Sequence, residues 1–132
     1  MSDHSQISHA REREIIVRLF LGMIREVYSH RFKGQTGIHV GAQMEAIFIT
    51  MAVMVGQFEH REMSAFKIAQ YLAMPRRTVT RKLAWLVEQR QIIKTGHTYR
   101  LNPDRFPNSP AEAKFIRTLK SLIQKAAHEL RS

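Results

Sequence analysis

The sequence predicts a mainly α-helical protein with one small β-hairpin. Near the two ends of the chain, residues 9–31 and 109–131 repeat apolar side chains at the spacing of an amphipathic helix. Between them, two short β-prone runs flank Gly96 and His97, and glycine in the first position suits a two-residue type II′ turn. We therefore expect one mainly α domain of the α+β class over residues 1–132, in which long N- and C-terminal helices flank shorter helices and the hairpin.

The first helix carries an apolar stripe that covers about half of its circumference at about 100° per residue. The stripe consists of Ile15, Ile16, Leu19, Phe20, Met23, Ile24, Val27 and Tyr28. One core contact does not need so wide a stripe. Together with an apolar arc on the last helix, it predicts contact with a second copy of the chain, and packing entirely within one subunit is the alternative.

The second helix, expected over residues 42–60, is apolar on nearly all sides. Its apolar stretch from Ala46 to Val55 is shorter than the roughly 20 residues of a membrane span. We therefore expect a central buried helix and no membrane partner. Met44, Met51 and Met54 are expected to fill the core, although they could instead line a pocket for an unidentified small-molecule effector.

The segment 64–102 is predicted to contain two short helices and the hairpin. Ser64 is a favourable N-cap for a helix whose inward face is Ile68, Ala69 and Leu72. A fourth helix starts near Pro75 and runs to about Gln89. In the hairpin, the expected partners are Ile92 with Leu101, Ile93 with Arg100, Lys94 with Tyr99 and Thr95 with Thr98.

Positive charge is concentrated in the fourth helix and the hairpin. The chain has 21 Lys and Arg against 11 Asp and Glu, a formal net charge of +10. Residues 76–105 contain 8 basic and 2 acidic side chains, which is +6 of that total. This clustering favours a polyanionic partner, and a solvated basic surface is the alternative.

The fourth helix divides into two neighbouring arcs when it is projected at about 100° per residue. Val79, Leu83, Leu86 and Val87 form the arc expected to pack, and Arg77, Thr80, Arg81 and Ala84 form the arc expected to stay exposed. Trp85 is expected to pack on a neighbouring segment, with contact to a DNA backbone or a partner as the alternative.

The segment "IAQYLAMPRRTVTRKLAWLVEQRQII" resembles the multiple-antibiotic-resistance-regulator family and its relatives. The matching positions are Ile68, Ala69, Leu72, Met74, Arg76, Thr78, Val79, Thr80, Arg81, Leu83, Leu86 and Ile92, within about a fifth of the chain. The resemblance implies a winged helix-turn-helix flanked by long dimerisation helices, in a homodimeric bacterial transcription regulator that binds double-stranded DNA. The hairpin is shorter than is usual in that family and lacks its D-x-R segment, and Arg90 replaces the usual glycine.

In such a protein the fourth helix would enter the major groove of a roughly palindromic operator. Arg76 would bind phosphate with the first-turn N–H groups, and Arg77 and Arg81 would reach guanine edges or phosphates. The candidate DNA-binding residues are Arg76, Arg77, Thr78, Thr80 and Arg81 on the helix, with Lys94, Thr95, His97 and Arg100 on the hairpin. The hairpin could instead only cover the edge of the core.

Other classes of function have less support in the sequence. The chain has no cysteine, no histidine pair at i and i+4 and no nucleophile signature, so we expect no metal site, no cofactor and no enzymatic activity. The N-terminus is polar, and we expect a cytoplasmic protein. The alternatives to a sequence-specific regulator are a winged-helix module that binds an acidic protein and a non-specific architectural DNA binder.

Overall fold

The described part of the chain is mainly helical and contains a three-stranded antiparallel sheet. The computed structural model describes residues 3–31, 40–106 and 108–132. The elements are α1 (Asp3–Arg31), α2 (Val40–Phe58), β1 (Met63–Ser64), α3 (Ala65–Leu72), α4 (Arg76–Glu88), β2 (Ile92–Thr95), β3 (Thr98–Leu101), a short 3-10 helix (Pro103–Arg105) and α5 (Pro110–Arg131). The prediction of a mainly α protein with a β-hairpin is confirmed at this level.

The elements form two compact units. The central unit contains α2 through the 3-10 helix, and the terminal unit contains α1 and α5. Both α1 and α2 begin earlier than the expected residues 9 and 42. The sequence that follows α1, KGQTGIHVG over residues 33–41, predicts a glycine-bearing loop, and most of it falls in residues 32–39, which are outside the described part.

The core of the central unit lies between α2, α3, α4 and the sheet. Its largest fully buried apolar side chains are Ile49, Val53, Ile68, Val79, Leu83 and Ile92. The prediction of a central buried helix holds only in part for α2, because Ala46, Ile49 and Val53 are buried whereas Phe48, Met51 and Phe58 are exposed. Gln43, Ile47 and Thr50 of α2 are also buried, so the exposed side chains occupy only part of its circumference.

Helix α2 is also long and apolar enough, by length and composition, to cross a membrane. Its window Gly41–Phe58 has 18 residues with a mean hydropathy of 1.2, so the expectation that this helix falls short of a span is wrong. Core helices of soluble proteins commonly have the same length and composition. Ala46, Ile49 and Val53 lie in the core of the central unit, which accounts for part of the apolar character of this helix.

Two predicted helix starts and the hairpin register are confirmed. The Ser64 hydroxyl accepts a hydrogen bond from the Lys67 amide at 3.2 Å, and Ser109 accepts one from the Glu112 amide at 3.1 Å. All four expected pairs of β2 and β3 are present, and Gly96 has a φ of 63° at the turn. The strand β1 was not predicted; it pairs with β3, so that Met63 lies opposite Tyr99.

The terminal unit is an antiparallel pair of helices. Near the start of α1, Arg11 Nη1 donates to the carbonyl of Ser132 at 3.0 Å. At the other end, His30 Nε2 lies 2.7 Å from Glu112 Oε2, and its ring stacks on Phe115 with centroids 4.2 Å apart. Burial lowers the pKa of Arg31 below its usual value, and the Glu112 carboxylate opposes part of that shift.

The residue that ends α3 is held in a conformation that favours glycine. Ala73 has φ 54° and ψ 42°, a left-handed geometry that costs an L-residue about 1–2 kcal/mol. We expect Ala73→Gly to raise the free energy of unfolding by about 0.5–1 kcal/mol, because the relief of strain exceeds the added entropy of the unfolded chain. Urea denaturation measures the change.

Ala84 provides the matched control for that substitution. It is exposed and lies inside α4, where Ala→Gly should lower the free energy of unfolding by about 1 kcal/mol. Equal destabilisation by both substitutions would contradict the left-handed geometry of Ala73.

Candidate nucleic-acid interface

A tight turn connects α3 to α4. The Met74 amide donates to the Ala69 carbonyl at 3.0 Å, and the Ala73 amide donates to the Gln70 carbonyl at 3.3 Å. These bonds, with the left-handed Ala73, form the pattern that commonly ends a helix at glycine. The chain therefore leaves α3 abruptly, and only residues 73–75 separate its last residue, Leu72, from the first residue of α4, Arg76.

The first turn of α4 has no side-chain cap. Pro75 is the N-cap residue and makes no side-chain hydrogen bond, since its side chain has no acceptor. Arg76 and Arg77 follow as the first two helical residues, and the first turn contains no acidic residue. The positive end of the helix dipole therefore coincides with two positive side chains, an arrangement that an anion would stabilise.

The predicted division of α4 into two arcs is confirmed by burial. Val79 and Leu83 are 0% exposed, and Leu86 is 3% exposed. On the adjoining face Arg77, Thr80, Arg81 and Ala84 are all exposed. The buried arc holds α4 on the core, which leaves the exposed arc free to contact a ligand.

The exposed arc and Arg76 together form what we call the arginine face. Arg76, Arg77, Thr80 and Arg81 line one open depression. Within the described ranges, no carboxylate lies within 4.0 Å of any of these three guanidinium groups, whereas the Lys82 ammonium lies 3.9 Å from Glu45 Oε1. The arginine face therefore keeps its positive charge uncompensated.

Phe66 is a neighbour of this face that sequence reasoning did not single out. The guanidinium carbon of Arg76 lies 5.5 Å from the centroid of the Phe66 ring, within the range of a cation–π contact. Position 66 lies off the inward face of α3, which is formed by Ile68, Ala69 and Leu72. An exposed aromatic residue was therefore foreseeable, but its contact with Arg76 depends on the turn between the helices.

No match was found when the chain was compared with models of protein families, with curated proteins and with solved structures. A functional assignment therefore depends on charge, exposure and geometry.

Of the predicted helix residues, Arg76, Arg77, Thr80 and Arg81 come together on one surface. Thr78 is only half-exposed, so it offers less of its side chain to a ligand.

The hairpin does not gather its predicted residues on one face. Lys94 pairs with Tyr99, and its ammonium lies 5.9 Å from the centroid of the Tyr99 ring. Arg100 pairs with Ile93, and successive residues of a strand point to opposite faces. Lys94 and Arg100 therefore lie on opposite faces of the hairpin, and one flat surface cannot contact both equally.

The remaining hairpin candidates are near the turn. Thr95 and His97 are exposed, as is Gly96 between them. The Thr98 hydroxyl lies 3.1 Å from Glu62 Oε1, which connects the turn to the residue before β1. The turn is thus supported by β1 while the side chains of Thr95 and His97 remain accessible.

Trp85 is partly exposed and contacts a lysine of its own helix. The residue is 37% exposed, and the Lys82 ammonium lies 5.8 Å from the centroid of its ring. The same ammonium lies 3.9 Å from Glu45 Oε1, so Lys82 links the tryptophan to α2. Its position next to Arg81 places an aromatic edge beside the arginine face.

The methionines of α2 do not fill the core as predicted. Met51 is 41% exposed, and Met44 and Met54 are half-buried and are not among the buried residues of the central core. Smaller side chains, Ala46 and Ala52, occupy the inward face instead, because α2 packs closely on its neighbours.

Within the part of the chain that the structure describes, no three His, Asp or Glu side chains form a cluster that could hold a metal ion.

Proposed function

We propose that this protein is a homodimeric, sequence-specific DNA-binding transcription regulator. In the proposal α3, the turn and α4 form a helix-turn-helix, the β2–β3 hairpin forms the wing, and α4 enters the major groove. The observation that carries the proposal is the arginine face, in which three guanidinium groups without a carboxylate partner in the described part of the chain lie along the first two turns of a helix whose N-terminus has no side-chain cap. DNA phosphates supply the negative charge that this surface lacks.

The geometry of α4 suits contact with base edges in the major groove of DNA as well as contact with the phosphate backbone. Ala84 leaves a small side chain in the middle of the exposed arc, so the helix backbone can approach base edges closely. Arg77 and Arg81 are one turn apart and extend from the same side of the helix. An arginine in this position can bind guanine through two parallel hydrogen bonds, which gives sequence preference in addition to charge attraction.

The terminal unit supports the dimer. On α1, Ile16, Val17, Phe20 and Leu21 are each about half exposed, between 49% and 59%. On α5, Ile116, Ile123 and Leu130 are exposed and lie seven residues apart, the spacing of a helix-packing seam. An apolar surface of this size on a two-helix unit favours burial against a second copy, which would form a four-helix bundle.

A two-fold dimer would present two copies of α4 to one duplex. Two recognition helices about one DNA turn apart match the half-sites of a palindrome. Duplication of a modest protein surface gives each dimer twice the number of phosphate and base contacts. The roughly palindromic operator is therefore part of the proposal.

Measuring duplex affinity as a function of salt tests the proposal. Each neutralised phosphate contributes about −0.9 to the slope of log affinity against log salt, so a dimer with two arginine faces should give a slope of about −3 to −6. A selected duplex should bind more tightly than an unrelated duplex of equal length. Absence of duplex binding even at low salt would exclude a DNA-binding function.

Two further outcomes would favour the alternatives. Equal affinity for all duplexes would indicate an architectural DNA binder. Binding to poly-glutamate at the strength of duplex binding would indicate an electrostatic surface for an acidic protein.

A further inference from the structure

Phe66 is distinguished by its contact with Arg76. Single exposed apolar side chains are ordinary on protein surfaces, and the 49% exposure of Phe66 alone means little. Its ring, however, lies beneath a guanidinium group that belongs to the arginine face, at 5.5 Å. The two residues come from different helices, so the turn at Ala73 brings them together.

The chemistry of this contact differs from that of an ion pair. An aromatic ring contacts the flat face of a guanidinium, whose N–H groups point outward in its own plane. Those N–H donors therefore remain available, and the positive charge is retained. A carboxylate partner would occupy the same donors and cancel the charge that attracts phosphate.

Arg76 is also at the position where freedom of the side chain would most reduce the affinity for phosphate. It is the first residue of α4, where the helix dipole disfavours a positive side chain and repels it from the uncapped N–H groups. Contact with the Phe66 ring restricts a long, flexible side chain at the depression that it lines with Arg77 and Arg81. Less conformational freedom is then lost when a phosphate binds.

We propose that Phe66 is a positioning residue that holds the Arg76 guanidinium beside the first turn of α4 before DNA binds. This inference rests on the proposed function of the arginine face. It adds that phosphate binding by α4 depends on a side chain of α3 that does not itself contact DNA.

A double-mutant cycle on duplex affinity tests the positioning role. Phe66→Leu removes the ring but keeps an apolar side chain, and should weaken duplex binding about two- to fivefold. In an Arg76→Ala background the same substitution should have no effect, because the residue it positions is gone. Phe66→Tyr retains the ring and should restore the affinity of the unchanged protein.

Arg77→Ala provides the matched background. Arg77 lies on the same face but is not the residue that stacks on Phe66, so Phe66→Leu should keep its two- to fivefold effect there. A readout without DNA is the proton NMR spectrum: the Arg76 side-chain protons should be shifted upfield by the ring and should move downfield in Phe66→Leu. Thermal melting of each variant establishes that the fold is kept.

The outcomes separate this inference from the function on which it rests. An equal loss from Phe66→Leu in the Arg76→Ala background would overturn it, since Phe66 would then contact DNA directly. Unshifted Arg76 protons in the unchanged protein would overturn it as well. If the unchanged protein binds no duplex at low salt, both the proposed function and the positioning role are excluded. If it binds duplex but the effect of Phe66→Leu does not depend on Arg76, only the positioning role is excluded.

Discussion

Arg77→Ala combined with Arg81→Ala is expected to weaken binding to the preferred duplex by about 2–6 kcal/mol for each half-site, if the usual 1–3 kcal/mol for each base-contacting arginine adds. Both side chains are exposed on one side of α4, and no carboxylate among the described residues holds them. Fluorescence anisotropy on a selected duplex and on an unrelated duplex measures the change. The loss should be larger on the selected duplex, because base contacts contribute only there.

Two sets of control variants distinguish base recognition from charge. Lys120→Ala with Lys125→Ala removes the same number of charges from exposed positions of α5, and should change duplex affinity little. Arg77→Lys with Arg81→Lys keeps the charge but loses the two-pronged geometry of arginine, and should reduce sequence preference more than general affinity. An identical loss on both duplexes would show that these arginines contact only phosphate.

Phe20→Glu is expected to convert the proposed dimer to a monomer at micromolar concentration. Phe20 is 59% exposed in the middle of the apolar surface of α1. Burying such a side chain contributes about 1.5–3 kcal/mol, and two-fold symmetry removes it twice, so the dissociation constant of the dimer should rise about a thousandfold. Desolvation of the new carboxylate would add to the effect. Sedimentation velocity over a concentration series measures it.

Phe58→Glu is the matched control for the dimer. Phe58 is 71% exposed at the end of α2, outside the terminal unit, so the same substitution there should leave the dimer intact. A dimeric Phe20→Glu variant would show that the exposed face of α1 is not the contact between subunits. A monomeric unchanged protein at micromolar concentration would remove the dimer from the proposed function.

Features governed by near neighbours in the chain were predictable from the sequence. The hairpin register follows from Gly96 and the alternation of side chains on either side of it, and the caps at Ser64 and Ser109 depend on groups three residues away. The buried arc of α4 follows from helical periodicity alone. In each case the physical cause lies within a few residues, so no knowledge of tertiary structure is needed.

Features governed by distant segments were missed. The strand β1 has only two residues, and it forms because β3 offers it a free edge. The contact of Phe66 with Arg76 depends on the angle set by the turn between α3 and α4. Exposure of Phe48 and Met51 on α2 likewise depends on how many neighbours surround that helix, which a hydrophobic sequence does not reveal.

Because the first turn of α4 has no side-chain cap at Pro75, the free energy of unfolding of this protein should depend on the anions in solution. A ligand that binds only the folded state at 100 times its dissociation constant raises the free energy of unfolding by about 2.7 kcal/mol. Helix α4 contributes Val79, Leu83 and Leu86 to the central core, so an oxyanion at its first turn would stabilise the whole central unit. We expect the melting temperature to depend on the choice of buffer anion, with phosphate and sulfate giving higher values than chloride.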